Sequence, residues 1–197
     1  MINRCIGCSV LVPDDEKLCF KCERGIYPPT MKRKILITNG SGGCGKDEFA
    51  KQLSKFISVY KYSSIDKVKE IASLAGWNGK KSEKDRRFLS DLKILTTEYN
   101  DMAFNDIKSI VKDFHKGLLD SMVLIIDIRE PEEIERAKQE FNAITILIRN
   151  SNVKKINSNM ADANVENYKY DCYIDNSGTI EELSKVVADF YKTYILD

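Results

Sequence analysis

The chain has 197 residues, 43% of them hydrophobic, and 31 basic side chains stand against 30 acidic ones. That length suits one α/β domain plus a small module, and the apolar content excludes wholesale disorder. Near-neutral charge gives no global pull toward nucleic acid or an anionic membrane, no apolar run reaches the roughly 20 residues that span a bilayer, and MINRCIGCSVLV lacks the marks of a cleaved leader, so the expected address is the cytoplasm.

The first 25 residues are paced by cysteines and not by a hydrophobic period. Cys5-x₂-Cys8-x₁₀-Cys19-x₂-Cys22 holds four of the six cysteines. A disulfide framework would spread them through the chain, and cytoplasmic thiols stay reduced. Each C-x-x-C forms a knuckle that aims two sulfurs at one point, so the spacing predicts a zinc ribbon over residues 1–25. Its four thiolates would close a tetrahedral, structural Zn²⁺ site whose metal supplies the folding energy of so short a segment. Iron in a rubredoxin-like site would use the same ligands. Arg4, Lys17, Lys21 and Arg24 are balanced by Asp14, Asp15, Glu16 and Glu23, so the ribbon shows no electrostatic footprint for nucleic acid. Residues 26–33, with the pair Pro28-Pro29, read as an extended linker, and 34–197 as the second domain.

Lys34 to Thr38 is a short apolar run, as expected for a buried parallel strand. It enters a glycine cluster, and Phe49, Ala50, Leu53, Phe56 and Ile57 then fall on one face of a helix. Between strand and helix, Gly40-Ser41-Gly42-Gly43-Cys44-Gly45-Lys46 matches the phosphate-loop pattern G-x-x-x-x-G-K. Glycines let successive backbone N–H groups turn inward on an anion, and the helix that follows adds its positive N-terminus. Gly40, Ser41, Gly42, Gly43, Cys44, Gly45, Lys46, Asp47 and Glu48 are the candidate ATP-binding residues. Asp47 stands where Ser or Thr usually ligates Mg²⁺. One reading is a loop that binds without turnover. The other is that the carboxylate, also a hard oxygen donor, holds the metal directly or through water.

Ser58 to Ser64 reads as a second strand, and Val68, Ile71, Ala72 and Ala75 as a helix stopped by Gly76. Trp77, in the turn that follows, is expected to anchor a packed loop or to stack on a base. Two helices come next, one with Phe88, Leu92, Leu95, Tyr99 and Met102 at helical spacing, the other with Ile107, Ile110, Val111 and Phe114. Asp66 and Lys69 share a helical face, as do Arg87 and Asp91, with Lys93 less well aligned. Asp66, Lys69, Arg86, Arg87 and Asp91 are candidates for binding an acceptor; the alternative is a solvated charged face. His115, at a helix end, is expected to complement the helix dipole.

Met122 to Ile128 is the most strand-like run, and it carries Asp127 to the carboxyl edge of a sheet, where a bound Mg²⁺ needs an acidic neighbour. Arg129 follows two residues later, on the same side by strand alternation. Pro131 opens a helix and Ala143 to Ile148 forms a further strand. Arg149 then begins a polar stretch, Ser151 to Asn167, readable as a mobile lid or a surface loop. Asp171 to Asp175 is the last strand, and Thr179-Ile180-Glu181-Glu182 is a capping box opening the C-terminal helix. Strands alternating with helices predict a three-layer α/β sandwich around a parallel sheet.

The Gly45-Lys46-Asp47 ending and the Asp127-x-Arg129 segment resemble two groups of P-loop small-molecule kinases, phage-type deoxynucleoside monophosphate kinases and animal-type phosphomevalonate kinases, and the acidic residues after Arg129 resemble the nucleotide kinases. The resemblance covers roughly residues 35–57 and 123–150, and between them the chain follows neither group. It implies a P-loop NTPase fold and an active Gly-Lys-Asp loop using ATP and Mg²⁺. Lys46 would neutralise β/γ-phosphate charge, Asp47 and Asp127 would organise the metal, and Arg129 would stabilise the transferring group. It places the acceptor over the segment between the first helix and the Asp-bearing strand, and adenine against the backbone of 175–179. The expectation is an ATP-dependent phosphotransferase acting on a small phosphorylated acceptor, foremost a (deoxy)nucleoside monophosphate. A phosphomevalonate-like kinase is one alternative. The other is a nucleotide-sensing regulator whose ribbon contacts a protein or nucleic acid partner.

Overall fold

In the computed structural model, residues 2–5, 11–13, 15, 17, 19–24, 31–80, 82–153 and 165–196 are described. Strands β1 (Ile2–Arg4) and β2 (Leu11–Pro13) pair antiparallel, and the short helix α1 (Phe20–Glu23) follows. The linker prolines lie outside the described residues.

The main domain begins with β3 (Lys34–Asn39), α2 (Lys46–Leu53), β4 (Val59–Ser63) and α3 (Asp66–Leu74). Helices α4 (Glu83–Asn100) and α5 (Met102–His115) lead to β5 (Val123–Asp127). Then come α6 (Pro131–Phe141), β6 (Ile144–Arg149), β7 (Cys172–Asp175) and α7 (Ile180–Phe190). The five strands form one parallel sheet in the order β4-β5-β3-β6-β7. Strand alternation divides the core into two layers. Leu36, Ile125, Ile146 and Ile174 pack with Phe49, Leu53, Leu183 and Val187 on the α2/α7 side. Ile35, Ile37, Leu124, Ile126 and Leu147 pack with Phe104, Ile107, Phe114 and Ile134 on the α5/α6 side. This is the three-layer α/β sandwich around a parallel sheet that the sequence pattern predicts.

The central strand β3 has β5 on one side and β6 on the other, so the crevice beyond its carboxyl end is the topological switch point of the sheet. The glycine loop lies there. Cys5, Val12, Cys22 and Met31 belong to the same buried cluster as Leu36 and Phe49, so the N-terminal module packs against the main domain.

One expectation needs correction. The helical period of Phe88, Leu92, Leu95, Tyr99 and Met102 puts all five on a single helix. Asp101 instead takes a left-handed conformation (φ 54°) and separates α4 from α5, so Met102 opens a new helix. Along α4, Leu95 is 64% and Tyr99 85% exposed, because α4 packs on α3 and α5 and not on the sheet. Among the described residues, no helix is long and apolar enough to cross a membrane.

Candidate active site

The loop after β3 takes its shape from three left-handed glycines, Gly40 (φ 145°), Gly43 (φ 84°) and Gly45 (φ 100°). At Gly40 a Cβ would stand 2.4 Å from the Ile148 carbonyl oxygen, so only glycine lets the loop pass against β6. Asn39, fully buried at the end of β3, ties the surrounding chain together. Its Oδ1 accepts from Gly40 N–H at 2.7 Å, while its Nδ2 donates to the Arg129 carbonyl at 3.1 Å and to the Tyr170 hydroxyl at 2.8 Å. One amide therefore joins the glycine loop, the segment after β5 and the approach to β7. Asn176 closes the other side, its Nδ2 donating to the Cys44 carbonyl at 2.9 Å.

Lys46 opens α2, and its ammonium folds back over the loop, donating to the Gly40 carbonyl at 2.6 Å and lying 3.4 Å from that of Ser41. These carbonyls hold the ammonium over the mouth of the loop. Cys44 is buried, with Sγ 3.8 Å from Lys46 Nζ; burial pushes its thiol above the ordinary range, against the pull of that ammonium. It behaves as a packed thiol and not as a reactive thiolate. The Glu48 side chain is engaged along α2, accepting from Gln52 at 2.5 Å.

Asp127 ends β5 in register with Thr38 on β3 and Ser63 on β4. Its carboxylate accepts from the Thr38 hydroxyl and pairs with Lys61 Nζ at 2.8 Å. The same ammonium pairs with Asp47 at the start of α2. Two carboxylates from different elements thus converge on one cation beside the phosphate loop, a donor set that fits Mg²⁺. Burial works against a charged Lys61, but its hydrogen bonds to Asp127 and Asp47 outweigh that and hold its pKa above the ordinary lysine value.

Lys61 is the residue that sequence reading missed. The available signal was a lone charge in a strand otherwise made of Val59, Tyr60, Tyr62 and Ser63, two positions before the strand end that meets Asp127.

Arg129 lies just past β5, half-buried, with its carbonyl fixed by Asn39. Beside it is a partly buried charge cluster: Lys93 of α4, 11% exposed, pairs with Glu130 at 2.6 Å and with Glu133 at 2.9 Å. Burial foremost, and the charge of Glu130, push Glu133 up to about 7 against the opposing pull of Lys93. Lys93 was the least well aligned of the α4 candidates, yet it is the one the fold brings to this edge.

Asp66 and Lys69 meet at the start of α3, paired at 2.8 Å, with Asp66 also accepting from Ser63 N–H at 3.0 Å. They stand next to the strand end that carries Asp127, since Ser64 N–H donates to the Asp127 carbonyl. Arg87 and Asp91 form an i,i+4 pair at 3.7 Å on the solvent side of α4, where both are more than 60% exposed. Arg86, also exposed, comes one residue earlier in the helix, closer to the face that carries Lys93.

Arg149, at the end of β6, pairs with Glu166 and lies over the Tyr173 ring at 4.8 Å. The stretch expected as a lid falls mostly at 154–164, outside the described residues.

In the N-terminal module, the sulfurs of Cys5, Cys19 and Cys22 lie within 4.8 Å of one another, from two different backbone segments. Cys8, the fourth expected ligand, lies outside the described residues. Three converging thiolates fit a soft tetrahedral metal such as zinc.

No protein-family model and no curated protein sequence matches the chain. Among solved structures, it is similar to an APS kinase mutant of Mycobacterium tuberculosis at 14% identity and a TM-score of 0.38. It is similar to shikimate kinase of Aquifex aeolicus at 14% identity and a TM-score of 0.43. Each likeness covers 83% of this chain and 99% of the other.

Proposed function

We propose that the protein is an ATP-dependent, Mg²⁺-requiring phosphotransferase whose acceptor is a small phosphorylated molecule of the (deoxy)nucleoside monophosphate class. The observation that carries this reading is the convergence of Asp47 and Asp127 on a single cation beside Lys46 and the glycine loop. A nucleotide-binding loop alone needs no second carboxylate at the sheet edge. Phosphoryl transfer does, because charge shifts between donor, transferring group and acceptor while the metal must stay in place.

The loop N–H groups and Lys46 bind the β- and γ-phosphates. Asp47 and Asp127 would hold Mg²⁺, which would supply neutralising charge at the phosphates. An acceptor phosphate oxygen attacks the γ-phosphorus in line, the bond to the β,γ-bridging oxygen breaks, and ADP leaves with the electron pair. Arg129, on a backbone fixed by Asn39, faces charge gathering on the transferring oxygens. Asp66 and Lys69, with Arg86 less closely placed, border the side where the acceptor enters. Arg149, paired with Glu166, flanks the nucleotide side. Such a site works by positioning and electrostatics, without a covalent intermediate.

The N-terminal module, residues 1–25, is proposed as a structural zinc ribbon completed by Cys8 and joined through a linker at 26–33 to the kinase domain at 34–197. Titrating MgADP into the protein tests the donor site. Binding at micromolar levels that is lost in Lys46→Met supports the reading, and equal binding by both contradicts it.

A further inference from the structure

We propose that Lys61 is a built-in counter-cation of the metal site: its ammonium bridges Asp47 and Asp127, and a divalent ion taking these carboxylates must displace it. The inference rests on the phosphotransferase reading above and adds a residue to it.

A lysine side chain on an edge strand ordinarily runs out to water. Lys61 keeps only 28% of its side chain exposed and reaches two carboxylates at once, one on β5 and one on α2. Asp47, though 93% exposed, pairs with the same ammonium that meets Asp127. Without that charge, two carboxylates at this separation would repel each other. A divalent ion carries twice the charge and accepts the same oxygens, so ion and ammonium compete for one donor set. Displaced by the metal, Lys61 remains on its strand at the carboxyl edge, within a side chain's reach of anionic phosphate oxygens.

The coupling has a sign that a purely structural lysine would not produce. Removing the ammonium removes the competitor, so the metal should bind more tightly while turnover falls, because a cation at the phosphates is lost. The experiment is titration of Mn²⁺ into protein saturated with ADP, read by the electron paramagnetic resonance of free Mn²⁺, for wild type, Lys61→Met, Lys61→Gln and Lys61→Arg. The two neutral variants are expected to bind Mn²⁺ about tenfold tighter, within the usual range for coupled sites. Lys61→Arg, which keeps the charge, should stay near wild type. Unchanged or weaker Mn²⁺ binding in both neutral variants overturns the inference and leaves the phosphotransferase reading standing, whereas a wild type that binds no ADP overturns both. Should neither neutral variant fold, amine labelling of Lys61 in the wild type, read by mass spectrometry, decides it. Adding Mn²⁺ to the ADP-bound protein is expected to raise labelling of Lys61, and unchanged labelling overturns the inference.

Discussion

Gly40 and Gly43 both have positive φ, yet they differ in what surrounds them. A Cβ at Gly40 meets the Ile148 carbonyl oxygen at 2.4 Å and Cys44 Sγ at 2.5 Å; at Gly43 the nearest atom is 3.8 Å away. Gly43→Ala therefore bears backbone strain alone, about 1 kcal/mol. Gly40→Ala adds a steric clash and is expected to cost about 2–3 kcal/mol in denaturant unfolding and to abolish nucleotide binding.

Glu133 supplies a pH signature. Its carboxyl is raised to about 7 from an ordinary 4.5, chiefly by burial, so the folded state holds a proton that the unfolded state has already released. Its contribution to stability is complete below pH 4.5 and is lost as pH rises through 7. Glu133→Gln should remove that decline, so the gap in unfolding free energy between variant and wild type widens in the variant's favour from pH 4.5 to 7. Parallel curves would contradict it.

Lys46, Asp47 and Asp127 were legible as candidates because motif and strand end mark them, and the fold brings them to one edge of the sheet. Asn39 and Lys61 were not, and Lys93 only faintly, because their roles depend on which strand lies beside β5 and which helix meets α6. Those are pairings between segments distant in the chain.

At the level of elements, the strand–loop–helix unit around the glycine loop and the strand that ends at Asp127 appear where their periodicity puts them. The capping box at the last helix is also present: the Thr179 hydroxyl accepts from Glu182 N–H, and the Glu182 carboxylate accepts from Thr179 N–H. Thr179→Ala should lower stability by about 1 kcal/mol, measured by chemical denaturation. A change within error would show that α7 is held by its packing alone. Helix α4 marks the limit of this kind of reading. Apolar residues at helical spacing specify a helix, but not whether its stripe meets the sheet, and here tertiary packing leaves Leu95 and Tyr99 in solvent.

Across the whole molecule, alternating elements were enough to indicate a parallel three-layer sandwich, since right-handed crossovers leave few other arrangements. How the cysteine module sits on it was not legible, because docking depends on surface shape and not on periodicity. In the structure Cys5, Val12 and Cys22 share a buried cluster with residues of the main domain. Metal loss should therefore unfold more than the ribbon. One zinc per chain is expected by elemental analysis, and chelation should lower the melting temperature of the whole protein by several degrees, as should Cys19→Ser. A melting temperature indifferent to chelation would uncouple module and domain.

The central claim is that the loop and the paired carboxylates serve transfer to a phosphorylated acceptor, and product analysis tests it most directly. Zinc-replete protein is incubated with ATP, Mg²⁺ and each of a panel of (deoxy)nucleoside monophosphates, and ³¹P spectra are followed. We predict acceptor-dependent formation of ADP together with the matching diphosphate, reduced at least about a hundredfold in Asp127→Asn. ADP no higher than in the acceptor-free blank across the whole panel, from folded protein, would contradict it.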